Sequence, residues 1–499
     1  MLDPFSLLPL AVAAHNGHVD EYEVQQLVAA GLTLLQRSAT LVRALSGKRA
    51  AILLPTSPGF FTALAACEGR GAVLINTLAA PPEIAHQLRD AKVGAVFTNT
   101  ALAVGLPADI SYVLLDDAPR TARVVGDGRT RDVDLGSHAG LRITGNTDVV
   151  GSDDEAAIVY TSAMAGIPLG AVLTHRNLLS NARATVEAAG GTADDRVLAV
   201  LPFAHLFGLT VAGTAPLLGG GRVVTMARFN PSRAVELLES GEITAIAAVP
   251  AVFRALLAML ERKGESPVGL LRLCICGGSP LDRAFQDRWF DATGVELRQG
   301  YGLTEAGPVC LFNRVDRPNE RGSLGVPFPG VDVSLRTPIS YDDAGHAMPV
   351  ETIVESNTGE ICVRGDNVFR GYVSHGENGL PLRDGWLHTG DLGTRDAAGH
   401  IVFTGVVKPM FTRNGFNIYP REIERVVRAL PGVTDVVARE VAVSDREPEI
   451  ALDVTGSITA DDVKQWCADR LSAYKQPTTI STRATTKRAR RPDAFPSGE

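Results

Sequence analysis

Apolar residues are distributed along this chain in two alternating textures. Short, nearly continuous apolar runs at 50–54, 93–97, 156–160, 196–201, 222–225, 243–249 and 271–276 have the length and composition of buried strands. Most are separated by segments whose apolar positions recur with the helical period, including 58–69, 178–189, 232–238 and 251–261. Strand–helix alternation predicts α/β layers with parallel strands, in which ligands bind beyond the carboxyl ends of the strands. After about Arg321 the strands become shorter and Gly, Pro and Asp more frequent, which predicts a β-rich subdomain over 321–405. Beyond it, a helix at 420–430, strands at 433–443 and 449–454 and an amphipathic helix at 460–471 make a small α+β unit of about 90 residues, a size that can fold by itself.

Length and composition narrow this picture. A chain of 499 residues exceeds one compact core, so a large N-terminal domain (1–405) and a small C-terminal one (406–499) are expected. With 48 Lys and Arg against 56 Asp and Glu, the net charge is −8, which argues against a nucleic-acid binder. The one basic cluster, Arg483 to Arg491, reads as a solvated chain end. Six cysteines do not make a disulfide framework; Cys274 and Cys276 share one strand face and read as packed thiols. The start, Met-Leu-Asp-Pro, has no basic region of a secretory signal, and the apolar runs are too short to span a bilayer, so a cytoplasmic protein is expected.

The segment from Tyr160 to Asn177 carries the densest chemical signal. An apolar run ends at Tyr160-Thr161-Ser162, small residues with Gly166 and Gly170 follow, and Thr174 can cap a helix starting near His175. A strand, a small-residue loop and a helix N-terminus together offer backbone N–H groups to a polyphosphate. There is no Gly-Lys-Ser/Thr, so it is not a Walker A loop. Further on lie Leu201-Pro-Phe-Ala-His205-Leu-Phe-Gly208, Cys276-Gly277-Gly278-Ser279, Gly300-Tyr301-Gly-Leu-Thr304-Glu305, Gly359-Glu-Ile-Cys-Val-Arg-Gly365, Trp386-Leu-His-Thr389-Gly390-Asp391, Asn414-Gly-Phe-Asn-Ile-Tyr419 and Leu471-Ser-Ala-Tyr474-Lys475-Gln-Pro477.

In that order and at those spacings, the motifs resemble the adenylate-forming superfamily: acyl-CoA synthetases, peptide-synthetase adenylation domains and beetle luciferases. The resemblance runs from about residue 22 to 477 and implies a large AMP-binding domain and a small mobile domain that turns about Lys408. It implies ATP or AMP bound by Thr161, Ser162, Gly166, Gly277, Gly278, Ser279, Tyr301 and Asp391, with Asp391 accepting the ribose hydroxyls. It assigns Thr304 to a phosphate and Glu305 to Mg²⁺. His205, Val249, Pro250 and Gly300 are expected to line an apolar acyl site for a fatty or aryl acid. The implied reaction joins a carboxylic acid to ATP as acyl-AMP and transfers it to coenzyme A or a carrier-protein phosphopantetheine, a role in fatty acid metabolism. Lys487 is the candidate for the family's terminal catalytic lysine.

The chain departs from the pattern at several points. Ala163, Met164 and Ala165 replace Gly-Thr-Thr, Leu169 replaces a lysine, Val406 replaces an arginine, and Lys487 comes early with no preceding glycine. The resemblance implies that these positions handle phosphates and developing charge, where one lost donor costs on the order of 3 kcal/mol. Nucleotide binding is therefore expected to outlast efficient pyrophosphate release. Two alternatives stay open: a degenerate member that binds acyl or nucleotide ligands or runs only an acyl-transfer half-reaction, and a non-catalytic partner in a biosynthetic complex. Oligomeric state, including a homodimer, is not legible.

Overall fold

The computed structural model describes residues 12–484 apart from 14, 68–70, 117–119, 137–150, 162–167, 265–267, 340–352, 374–380, 408–409 and 444–446. Ser162, Gly166, Lys408 and Lys487, with the substitutions at 163–165, lie outside the described residues.

Two nine-stranded sheets form the bulk of the molecule. In the first, Leu297–Gly302, Leu273–Cys276, Ala245–Ala248, Arg196–Ala199 and Arg222–Thr225 run parallel side by side. In the second, Glu155–Thr161, Ala72–Leu74, Arg49–Ile52 and Val93–Thr98 are parallel neighbours. Their strands are buried on both faces, as the continuous apolar runs require; all six residues of Val93–Thr98 are buried. The predicted helices are present as Pro58–Ala66, His175–Ala189, Pro231–Glu239 and Pro250–Lys263.

The predicted phosphate loop has a different setting from the one its sequence suggests. Glu155–Thr161 pairs antiparallel with Leu169–Thr174, so residues 162–167 connect two strands of a hairpin. Thr174 does cap the His175–Ala189 helix, in a reciprocal capping box with Asn177. That helix end, however, is separated from the loop by a whole strand, so it adds no N–H groups there.

Val331–Arg336, Thr358–Gly365, Trp386–Arg395 and Ile401–Val406 form an antiparallel sheet. The last segment contains the hairpin Phe411–Arg413/Phe416–Ile418, the helix Pro420–Arg428, the three-stranded sheet Val433–Val441, Glu449–Gly456 and Thr479–Arg483, and the helix Ala460–Ala468. Its apolar side chains, among them Ile423, Val427, Ile450, Leu452 and Val463, form a cluster separate from the main core. No helix among the described residues is long and apolar enough to cross a membrane.

Candidate active site

The carboxyl ends of strands from both large sheets meet at one cleft of about 1440 Å³, including its open mouth. Leu273–Cys276 delivers Gly277 and Gly278, Leu297–Gly302 delivers Gly300 and Tyr301 and leads into Thr304, and Glu155–Thr161 delivers Tyr160 and Thr161. The C-terminal segment contributes Gly415, Phe416, Asn417, Ser472, Tyr474 and Lys475. The two backbones approach closely: a Cβ on Gly278, which has φ +81°, would lie 3.6 Å from the Gly415 Cα. At Gly415 φ is +79°, and a Cβ would come within 2.5 Å of a Val249 methyl. Only glycine serves there.

A chain of polar contacts fixes the carboxylates. The Tyr301 hydroxyl donates to Asp391 Oδ2 at 2.7 Å. The buried Glu360 accepts the Gly390 N–H at 2.7 Å and lies 2.8 Å from His388 Nδ1, so the turn that presents Asp391 is held from behind. Cys362, His388 and Glu360 form the one cluster of potential metal-ligating side chains among the described residues; their burial and mutual bonding account for it as packing. Glu305 Oε1 accepts hydroxyls from Tyr372 at 2.8 Å and Thr161 at 3.3 Å. Both donors use one oxygen, and Oε2 has no hydrogen-bond partner among the described residues. Burial pushes the Tyr301 phenol far above its ordinary range, and Asp391 adds to this, so it stays a proton donor.

His205 lines the cleft, with its ring edge-on to Phe416 at 6.0 Å between centroids. Desolvation lowers its pKa to about 4, so the ring is neutral at physiological pH. The Phe207 N–H donates to Nδ1 at 3.2 Å, which places the proton on Nε2. Beyond His205 the walls are apolar, including Phe207, Val211, Ile275, Phe312 and Phe328. No carboxylate stands among them.

Pro250 is buried as the first residue of its helix, and Val249 packs against Gly278 and Gly415, two glycines of the cleft wall. Ser279 follows the Gly277-Gly278 turn but its Oγ is buried, with no partner among the described residues. Cys274 and Cys276 are buried, and desolvation raises both thiols, as expected of packed side chains.

A family model described as AMP-binding enzyme matches residues 35–373. The chain belongs to this family. Feruloyl-CoA synthase of an Amycolatopsis species is 31% identical over 444 residues, covering 87% of this chain and 84% of that one. A long-chain-fatty-acid–CoA ligase of Escherichia coli is 30% identical over 472 residues, covering 88% and 82%. An amide bond synthetase from Marinactinospora thermotolerans shares the fold, with a TM-score of 0.77 at 23% identity and 95% coverage of both chains.

Within this AMP-binding enzyme, the departures from the motif pattern acquire positions. Leu169 stands opposite Thr161 in the hairpin, at the base of the loop. Val406 stands opposite Asp391, so an arginine there would lie beside the carboxylate. Sequence reasoning passed over Glu83. It is the third residue of the Pro81–Asp90 helix, where it accepts the Ala80 N–H, and it also reaches the C-terminal segment. Its Oε1 lies 2.9 Å from Lys475 Nζ, and its Oε2 accepts the Ser472 hydroxyl. Lys475 bonds Glu422 at 2.6 Å as well. The available signal was a Glu in the first turn of a proline-initiated helix, which points only to a helix start.

Proposed function

We propose that the protein activates a carboxylic acid in two half-reactions at this cleft. In the first, a carboxylate oxygen attacks the α-phosphorus of ATP, the bond to the β-phosphate oxygen breaks, and acyl-AMP and pyrophosphate form. In the second, a thiol loses its proton and attacks the acyl carbon, the C–O bond to AMP breaks, and the thioester and AMP leave. Coenzyme A is the acceptor favoured by the two curated relatives, both named as CoA ligases or synthases. A carrier-protein phosphopantetheine presents the same thiol.

One observation carries the reading: Tyr301 and Thr161, which line the cleft beside glycine-lined strand ends, each donate a hydroxyl to a carboxylate just behind the wall, Asp391 and Glu305 respectively. Asp391, oriented by Tyr301 and Glu360, accepts the ribose hydroxyls; Gly277 and Gly278 admit the flat base. Thr304 donates to a phosphate. Glu305 Oε2 is a hard oxygen suited to Mg²⁺, which when bound supplies charge neutralisation on the phosphates. Neutral His205, protonated on Nε2, donates a hydrogen bond without adding charge to the acyl site. Residues 406–499 act as a small domain turning about Lys408, docked here with Gly415–Asn417 on the cleft, and Lys487 serves the adenylation step when that domain turns.

The test is pyrophosphate release with ATP, Mg²⁺ and a panel of carboxylic acids, followed by thioester formation on adding coenzyme A. Absence of both, together with no thermal shift by ATP or AMP, would overturn the assignment. Leu169, aliphatic at the base of the phosphate loop, favours a second reading in which only the thiol-transfer half-reaction runs. Thioester formation from a supplied acyl-adenylate without pyrophosphate release from ATP would select it.

A further inference from the structure

Deep in the cleft, the wall is formed by Thr185 and Ala189 on one face of the His175–Ala189 helix, by Val211 and by Ile275. The same four residues line a second, narrow cavity, about 450 Å³ with its open mouth included. That cavity runs between small or aliphatic side chains, among them Val197, Ala215, Ala245, Ala247 and Leu273. Its far end is bounded by Gly191, Thr192, Pro216 and Gly219, where Thr192 is exposed. The polar groups along the way are already engaged. The Thr185 hydroxyl donates to the Asn181 carbonyl at 2.9 Å. Asp195 is tied to Arg272, Thr244 and the Thr192 N–H. What is left to a ligand is an apolar bore with no bulky aromatic plug.

We propose that the two cavities are one acyl channel whose waist is Thr185, Ala189, Val211 and Ile275, and that the acid is a long unbranched aliphatic one. Its carboxylate lies near His205, its chain passes the waist, and its tail reaches the surface between Gly191 and Gly219. This rests on the acyl-activating reading above. A flat aryl acid fills the front of the cleft and leaves the rear cavity empty; a flexible chain uses both. Because the bore opens at its far end, added length is tolerated.

The experiment measures pyrophosphate release for straight-chain acids from butanoic to hexadecanoic, beside benzoic and ferulic acids. Each methylene entering the rear cavity is expected to raise kcat/KM by up to about fourfold, and the gain should level off without collapse once the tail reaches Thr192. Ala215→Phe, which fills the rear cavity, should lower the ratio of kcat/KM for tetradecanoic over butanoic acid by at least tenfold. Ala189→Leu at the waist is the second variant, should the first not fold. An aryl acid as best substrate, no dependence on chain length, or an unchanged ratio in both variants would overturn the channel. If no acid releases pyrophosphate, the activation reading fails, and the channel is tested alone with cis-parinaric acid. Its fluorescence should rise on binding, fall on adding tetradecanoic acid but not butanoic acid, and be lost in Ala215→Phe. No binding by wild type would end the proposal.

Discussion

Glu83→Gln tests whether the contact between the Pro81–Asp90 helix and the C-terminal segment governs the thiol step. Three charges meet there out of water: the side chains of Lys475, Glu422 and Glu83 are 5%, 4% and 12% exposed. Burial alone would lower the Lys475 pKa, but Glu422 and Glu83 more than offset it and hold the ammonium protonated well above the usual lysine range. A raised lysine pKa means that its stabilisation is complete below the unfolded value and is lost only as pH rises through the folded one. Ordinary assay pH therefore leaves the contact intact, and only substitution breaks it.

Gln keeps the shape of Glu83 but only one acceptor oxygen, so with that oxygen on the Ala80 N–H its amide NH2 faces the Lys475 ammonium. The charge-assisted bond to Lys475, worth about 1.5–3 kcal/mol, is then lost, roughly tenfold or more in the equilibrium between docked and undocked arrangements. Lys475→Met is harsher, since it leaves two buried carboxylates facing each other at a cost of about 3–5 kcal/mol. The assay is rapid-quench single turnover, with acyl-AMP and pyrophosphate formation measured separately from thioester formation. Glu83→Gln should slow thioester formation about tenfold while acyl-AMP formation changes little or speeds up. Equal slowing of both steps, or an unchanged thioester step, would refute the role given to this contact.

Asp391→Ala should weaken AMP binding at least tenfold by calorimetry, because charge-assisted bonds to the ribose are lost; unchanged affinity would remove the ribose assignment. Leu169→Lys should raise pyrophosphate release at saturating Mg²⁺-ATP and acid by at least tenfold, or about 1.4 kcal/mol of barrier, and no gain would show that the hairpin base does not limit adenylation. His205, with its pKa lowered to about 4 from 6.5, takes up its proton more readily in the unfolded chain. Stability should therefore fall as pH drops through that window, by at most about 3 kcal/mol and by less where the ring faces the open cleft. Thermal melts of His205→Phe should show a flatter pH dependence between those values than wild type, and an identical slope would mean that the ring is not held neutral.

The large sheets were legible because strands such as Val93–Thr98, buried on both faces, must be apolar throughout, and the helices between them keep one apolar stripe. The hairpin was missed for the same physical reason. Leu169–Thr174 is buried at five of its six positions, so it lacks the alternation that announces a strand, and the strong capping signal of Thr174 drew the preceding residues towards the helix. Gly277, Gly300, Tyr301 and Thr304, which line the cleft at strand ends, were legible because each sits in a short motif with its own local geometry.

The parts of the site that join distant segments have no local signature. Lys475 meets Glu83 across 392 positions, and neither residue is unusual where it stands in the sequence. Val249, expected at the acyl site, follows the strand end at Ala248 as the N-cap of the next helix and packs against the Gly415 turn. Its neighbour on that turn, Phe416, stacks on Tyr474 at 4.2 Å and meets His205 edge-on. The acyl site, the C-terminal turn and the Lys475 cluster are thus in contact through Phe416 and Tyr474. A substitution at either ring should therefore disturb the thiol step and His205 together, which an effect confined to the acyl walls would not do.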